Sequence, residues 1–283
     1  MAPPHGKFLQ RGICSHMKPN DAARQRKKQT LTVGLRDPKA RMEAVAAIRK
    51  LGSSAAEFLP SLVRVLEDAR AQAKPPRSVS STEADPATAE IVSYGTDLLD
   101  SEEAEFRRSV VIALGEIGSG TEKAIRVLIR ALEDPEPGVR TAAAGALGRM
   151  GLPANVAIPA LIRALEDSKE FVRQIAARAL ARIDPHDPRI IQPLIDALKD
   201  LSPGVRVCAA EALGNARPTE DTAIVLAGVL LDASPAVRIA AANTLGKFGA
   251  AARPVVPALR KAMETRFDSV RHAVSSALDR IGA

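Results

Sequence analysis

The stretch from Asp134 to Leu165, DPEPGVRTAAAGALGRMGLPANVAIPALIRAL, decides the fold because it recurs along the chain. Counted from an arginine that follows valine or phenylalanine, successive copies are separated by 33, 33, 33, 32 and 33 residues. A fixed period of this length is typical of stacked supersecondary units. The arginines in register are Arg107, Arg140, Arg173, Arg206, Arg238 and Arg271, and Arg41 lies two periods before the first of them.

Each copy contains two apolar stripes at helical spacing. The first predicts an amphipathic helix, called A here, and is followed in most copies by a glycine that ends the helix, such as Gly151. The second predicts a helix B with proline early in it, as at Pro159. A further glycine recurs inside helix A, as at Gly148, where it lowers helix propensity. We therefore expect close approach of neighbouring helices at this glycine.

The consensus D-x-x-P-x-V-R-x-x-A-A-x-A-L-G-x-x-G, followed by I-P-x-L-I-x-A-L, resembles HEAT repeats. It is similar to the short bacterial HEAT-like type also found in phycobilin lyase subunits. The resemblance covers about residues 37–70 and 105–283. It implies an all-α fold, an α-α superhelix with a right-handed, HEAT-like course and about six to seven helix pairs. It also implies that the B helices line the concave face.

Charge and periodicity divide the chain into four parts. Residues 1–36 carry a net charge of +7 and are expected to be a mostly disordered tail, with room for a capping helix at 25–36. Residues 37–70 form the first repeat, and residues 105–283 form regular repeats that end in a capping helix. Residues 71–104 are acidic and contain a proline-rich loop signature. They fit either an acidic insertion or a degenerate repeat, and the sequence leaves both open.

Four arginines of the repeat follow an aspartate by six residues. A cation in the first turn of a helix opposes the helix dipole, so we interpret these residues as a structural ladder along the turns between repeats. A phosphate-binding row is the alternative. The ladder consists of Asp134 and Arg140, Asp167 and Arg173, Asp200 and Arg206, and Asp232 and Arg238.

Two groups of basic residues are candidates for binding a partner. The B row lies on the B helices and consists of Arg64, Arg130, Arg163 and Lys261, interrupted by Asp196 and Gly228. The tail run consists of Arg24, Arg26, Lys27 and Lys28. Either group fits an acidic protein surface or nucleic acid, and either also fits an ordinary solvated surface.

The sequence predicts no catalytic residue, no metal site and no cofactor. None of the four histidines has a glutamate or cysteine at metal-ligand spacing, and the His-Glu pairs of HEAT-like deoxyhypusine hydroxylases are lacking. There is no tryptophan, so the tryptophan-lined cleft of HEAT-like glycosylases is also lacking. Tyr94 is the only tyrosine. The sequence therefore argues against an enzyme, with a bilin lyase-like activity as the remaining alternative.

The leading functional hypothesis is a scaffold that binds a protein partner on the concave face of the solenoid. The alternatives are a nucleic-acid-binding protein that uses the basic tail and a phycobilin lyase-like accessory protein. We expect a monomer without a membrane span, since no apolar run approaches about 18 residues. Two cysteines without metal or redox spacing favour a reducing, cytoplasmic location.

Overall fold

The structure, a computed structural model, describes residues 19–72, 86–118 and 121–283. Within these ranges the regular elements are helices, and six A–B pairs stack into a solenoid with one helix before them and one A helix after them. The predicted all-α solenoid is confirmed. Successive units share one continuous core that runs from Leu35 to Ile281.

The first helix is α1 (Pro19–Gly34). The A helices are α2 (Arg41–Arg49), α4 (Pro86–Ile117), α6 (Pro137–Met150), α8 (Glu170–Ile183), α10 (Pro203–Leu213), α12 (Pro235–Phe248) and α14 (Asp268–Ile281). The B helices are α3 (Leu59–Gln72), α5 (Glu122–Ala131), α7 (Ile158–Ala164), α9 (Ile191–Ala197), α11 (Glu220–Val229) and α13 (Val256–Ala262). Short 3₁₀ segments connect A to B at Gly52–Phe58, Leu152–Ala157, Pro188–Ile190 and Gly249–Val255.

Helix α6 shows why the repeat folds as it does. Proline stands at its start, where a missing N–H costs little, and the chain leaves the helix at Gly151 with a positive φ of 64°. The buried residues include the predicted stripe, but Ala146 and Gly148 are buried as well. Helix A therefore packs on two fronts, against its own B helix and against the next A helix.

Glycine and alanine form the contact between successive A helices. A Cβ added to Gly148 would lie 2.9 Å from Ala179 Cα, and one added to Gly246 would lie 3.0 Å from Ala277 Cα. Both distances are too short for a side chain, so the backbones touch at these points. Such contacts place helix axes at the close end of the usual range of about 8–10 Å.

The acidic segment enters the solenoid through α4. Arg41 of α2 binds Glu103 at 2.6 Å and lies over the ring of Phe106, and Arg49 binds Glu116 with two hydrogen bonds of 2.8 Å. Helix α2 is thus packed directly on the C-terminal half of α4. Residues 73–85 lie outside the described residues.

The N-terminal helix is longer than the sequence indicated. It begins at Pro19 instead of residue 25, so residues 19–24, which were assigned to a disordered tail, are helical. Its C-terminal end is anchored because Leu35 is buried and Leu31 packs against the core of the first repeat. Residues 1–18 lie outside the described residues.

Gly148→Ala and Gly228→Ala form a matched pair that tests the contact between A helices. Alanine at position 148 collides with the Ala179 backbone, so we expect the free energy of unfolding to fall by about 1–3 kcal/mol. Alanine at position 228 meets open space in α11, so we expect a gain of about 0.5–1 kcal/mol from helix propensity alone. Urea denaturation measures both, and an equal gain at the two positions would contradict the packing.

Candidate functional site

The turns between repeats are held by arginine and aspartate side chains. Arg140 donates from Nε and Nη2 to the two carboxylate oxygens of Asp167, at 2.6 and 2.8 Å. Its Nη1 donates to the backbone carbonyl of Asp134, six residues earlier, at 2.9 Å. One guanidinium thus joins the turn before its own helix to the turn that follows in the next repeat.

The same arrangement repeats along the solenoid. The two-point pairs are Arg107 with Asp134, Arg173 with Asp200, and Arg206 with Asp232. The sequence paired each aspartate with the arginine six residues after it. In the structure that arginine binds the aspartate carbonyl, and the carboxylate belongs to the arginine of the preceding repeat, because helix stacking brings residues 26 or 27 positions apart together.

Each ladder aspartate also accepts the backbone N–H of the residue two positions later, which occupies the N-cap position of the next A helix. Asp200 Oδ1 accepts the Ser202 N–H at 2.8 Å, and Asp232 Oδ1 accepts the Ser234 N–H at the same distance. The serines occupy the N-cap positions, but their hydroxyls make no capping hydrogen bond. The aspartates therefore fix the turn that leads into each A helix, and these two helices begin without a side-chain cap.

The ladder ends at Arg238. Its guanidinium donates to the carbonyl of Asp232 and reaches Thr265 Oγ1 at 3.4 Å, because threonine stands where the other repeats have aspartate. The Phe267 ring lies 5.5 Å from the guanidinium carbon. This last turn therefore lacks the two-point ion pair of the interior turns.

The ladder shifts the titration of its carboxyl groups. Burial raises the pKa of Asp167, but hydrogen bonds from Arg140 and from the Lys169 N–H, with the nearby arginine charges, outweigh it, so the pKa lies below its ordinary value. The pKa values of Asp200 and Asp232 are lowered by the same balance. The folded state thus binds protons at these sites more weakly than the unfolded chain does.

The B row is largely neutralised by carboxylates. Arg130 lies 3.1 Å from Glu67, Arg163 lies 3.6 Å from Glu133, and Arg64 lies 4.0 Å from Asp68. All three arginines are more than half exposed. Lys261 is exposed and forms no ion pair with a described residue. Three of the four predicted cations of the row are therefore paired with carboxylates.

The tail run is also partly paired. Arg24 and Lys28 both contact Glu57, at 3.6 and 3.1 Å, which ties α1 to the start of the first repeat. Arg26 and Lys27 are exposed. The run therefore anchors α1 with two of its four cations and presents the other two to solvent.

A different set of cations lies exposed on the A helices. These residues form no ion pair with a described residue. The surface that carries them is the exposed side of α6, α8, α10, α12 and α14, and we call it the A face. Its cations are Arg149, Arg178, Arg182, Lys247 and Arg280. The sequence places Arg149, Arg182, Lys247 and Arg280 in the last turn of helix A, where the helix dipole favours a cation.

The two layers of helices are spaced differently. Successive A helices contact one another throughout the stack, whereas successive B helices beyond α5 share few contacts. The A helices therefore form the more closely packed layer of the stack.

A cavity of about 310 Å³ opens on the A face between α8 and α10. Arg178 and Arg182 line one side, and Cys208, Glu211 and Asn215 line the other. Cys208 is buried, and burial raises the pKa of its thiol, although the charge of Arg178 opposes the shift. The cavity thus offers two guanidinium groups beside a neutral thiol and one carboxylate.

No described group of three or more histidine, cysteine, aspartate or glutamate residues is placed to hold a metal ion. Among the helices of the described ranges, none is long and apolar enough to cross a membrane.

A sequence profile described as HEAT repeats matches residues 96–181, 158–234 and 191–279. The chain belongs to the HEAT-repeat family. The matched residues begin within α4 and reach α14, so they include the A face of this HEAT-repeat solenoid. No curated protein matches the chain.

Several solved structures resemble this HEAT-repeat protein. The complex of CpcE and CpcF of phycocyanin lyase from Nostoc sp. PCC7120 is 28% identical, with coverage of 54% of this chain and 97% of that chain and a TM-score of 0.46. An engineered protein is 24% identical, with coverage of 66% of this chain and 94% of that chain and a TM-score of 0.47. Human deoxyhypusine hydroxylase is 20% identical, with coverage of 93% of this chain and 98% of that chain and a TM-score of 0.38.

Arg173→Ala and Arg238→Ala test the ladder. The first removes a part-buried, two-point ion pair and leaves Asp200 without its partner, so we expect the free energy of unfolding to fall by about 2–3 kcal/mol. The second removes no carboxylate contact, so we expect a loss of about 1 kcal/mol or less. Urea denaturation of both variants decides the point, and equal losses would show that the carboxylate contributes nothing.

Acid should weaken the ladder. Because the folded pKa values of Asp167, Asp200 and Asp232 are lowered, their contribution is complete above the unfolded value of about 3.9 and is lost as the pH falls through the folded values. We expect the difference in unfolding free energy between wild type and Asp167→Asn to shrink from neutral pH to about pH 3. A difference that does not change with pH would contradict the assignment.

Proposed function

We propose that this protein is a non-enzymatic scaffold that binds a protein partner along the A face. The observation that carries the proposal is the contrast between the cations of the A face and the arginines of the B row. Cations of the A face are exposed without ion-pair partners in the described structure, whereas Arg64, Arg130 and Arg163 of the B row are matched by carboxylates. The A face is also preformed, because glycine and alanine lock its helices together.

A nucleic-acid-binding role for the tail run is less well supported. Arg24 and Lys28 are occupied by Glu57, which leaves Arg26 and Lys27 as the exposed cations of the run. Few phosphate contacts give weak binding that falls further with salt. Aromatic residues make up 2% of the chain, so base stacking has little support either.

We further propose a monomer in a reducing, cytoplasmic compartment. The stack is closed at one end by α1, and at the other by α14, whose Asp279 and Arg280 are exposed. Terminal helices with a polar outer side keep solenoids from associating end to end. Cys208 is a free, buried thiol, which suits a reducing environment.

Lys247 and Lys261 lie in the same repeat, on the A face and on the B row respectively, and they provide the test. The full-length chain is incubated with native lysate and nuclease, and bound proteins are joined to it with an amine-reactive cross-linker. We expect a discrete partner that survives nuclease and links to Lys247 far more than to Lys261. Links concentrated at Lys261, Lys27 or Lys28, or a partner lost with nuclease, would overturn the proposal.

A further inference from the structure

The cations of the A face are spread along the stack, roughly one to each repeat. Arg149 lies on α6, Arg178 and Arg182 on α8, Lys247 on α12 and Arg280 on α14. Carboxylates lie on or beside the same surface. Glu116 at the end of the neighbouring α4 is bound by Arg49 and lies near Arg149, Glu211 lies in the cavity with Arg178 and Arg182, and Asp279 is exposed on α14. The five cations outnumber these carboxylates, so the face keeps a net positive charge.

The spacing of these cations suits an extended polypeptide. Packed helices lie about 8–10 Å apart, so successive A helices present a cation at intervals of that order or a multiple of it. An extended chain advances about 3.3 Å per residue. A carboxylate at every second or third residue of a bound segment would therefore meet the cations in turn.

The carboxylates of Glu116 and Glu211 favour a protein over nucleic acid as the partner that binds the A face. A continuous phosphate backbone would pass both Glu116 and Glu211 and would be repelled at Glu211. A polypeptide can place its acidic residues only opposite the arginines and present uncharged residues to Glu211 and Asn215. Complementary charge of this kind fixes the orientation of a partner as well as its rate of association.

On the basis of the proposed scaffold function, we propose that the A face binds an extended acidic segment of a partner protein. One carboxylate of that segment lies in the cavity between α8 and α10, where Arg178 and Arg182 both line the wall. Arg149 binds the segment on one side of this cavity, and Lys247 and Arg280 bind it on the other.

The probe is a fluorescent peptide of alternating glutamate and serine, about 16 residues long, which in extended form spans roughly 50 Å and so covers the five A helices of the face. Binding to the full-length chain is followed by fluorescence anisotropy. A glutamine–serine peptide of the same length and a single-stranded DNA oligonucleotide serve as comparisons. We expect the acidic peptide to bind, the uncharged peptide to bind at least about tenfold more weakly, and added salt to weaken the acidic peptide.

Two charge-reversal variants locate the site. Arg178→Glu with Arg182→Glu changes the A face, and Arg163→Glu with Lys261→Glu makes the same charge change on the B row. All four residues are exposed, so both variants should fold, which a thermal unfolding curve checks. We expect the first variant to weaken the acidic peptide at least about tenfold and the second less than about twofold.

Three outcomes overturn the inference. These are equal binding of the acidic and uncharged peptides, equal weakening by the two variants, and tighter binding of DNA that only the A-face variant abolishes. If the acidic peptide does not bind but a nuclease-resistant partner still cross-links to Lys247, the inference of an acidic segment is wrong and the proposed scaffold function stands. If the peptide does not bind and no partner cross-links to Lys247, the proposed scaffold function is wrong as well.

Discussion

The contact between a glycine of one A helix and an alanine of the next sets the distance between repeats. At Gly148 the Ala179 backbone lies where a side chain would begin, so a larger residue fits only if the helices move apart. A helix pair cannot bury its apolar stripe alone, and its stability comes from its neighbours. The close approach of A helices therefore decides how much apolar surface each repeat removes from water, and it also brings Asp167 within reach of the Arg140 side chain.

The ladder is a consequence of that spacing and makes the turns interdependent. Asp167 accepts two hydrogen bonds from Arg140 of the preceding repeat and one from the Lys169 N–H, while its carbonyl accepts from Arg173. One residue thus joins two arginines and the start of α8. Nearest-neighbour coupling of this kind lets a one-dimensional stack unfold cooperatively. At Thr265 the two-point ion pair is absent, and the turn keeps only a hydrogen bond of 3.4 Å from Arg238 and the bond from Arg271 to the Thr265 carbonyl.

The period of the sequence was enough to predict the helices, because apolar spacing and the glycine after helix A are local properties. It was not enough to assign the ladder partners. Asp167 has an arginine six residues after it and another 27 residues before it, and only the stacking shows which one its carboxylate binds. The extent of α4 also depended on packing, since Arg41 and Arg49 hold its C-terminal half against α2.

Net charge conceals the feature that distinguishes the two surfaces. Residues 37–283 carry equal numbers of acidic and basic side chains, so the solenoid is formally neutral. Four of its aspartates bind the ladder arginines, and Asp68, Glu67 and Glu133 pair with three arginines of the B row, whereas the cations of the A face form no ion pair with a described residue. Exposed ion pairs contribute little to stability, so this segregation of charge has little effect on folding. Its effect falls on association, because exposed cations on a preformed surface favour partners of opposite charge and help to fix their orientation.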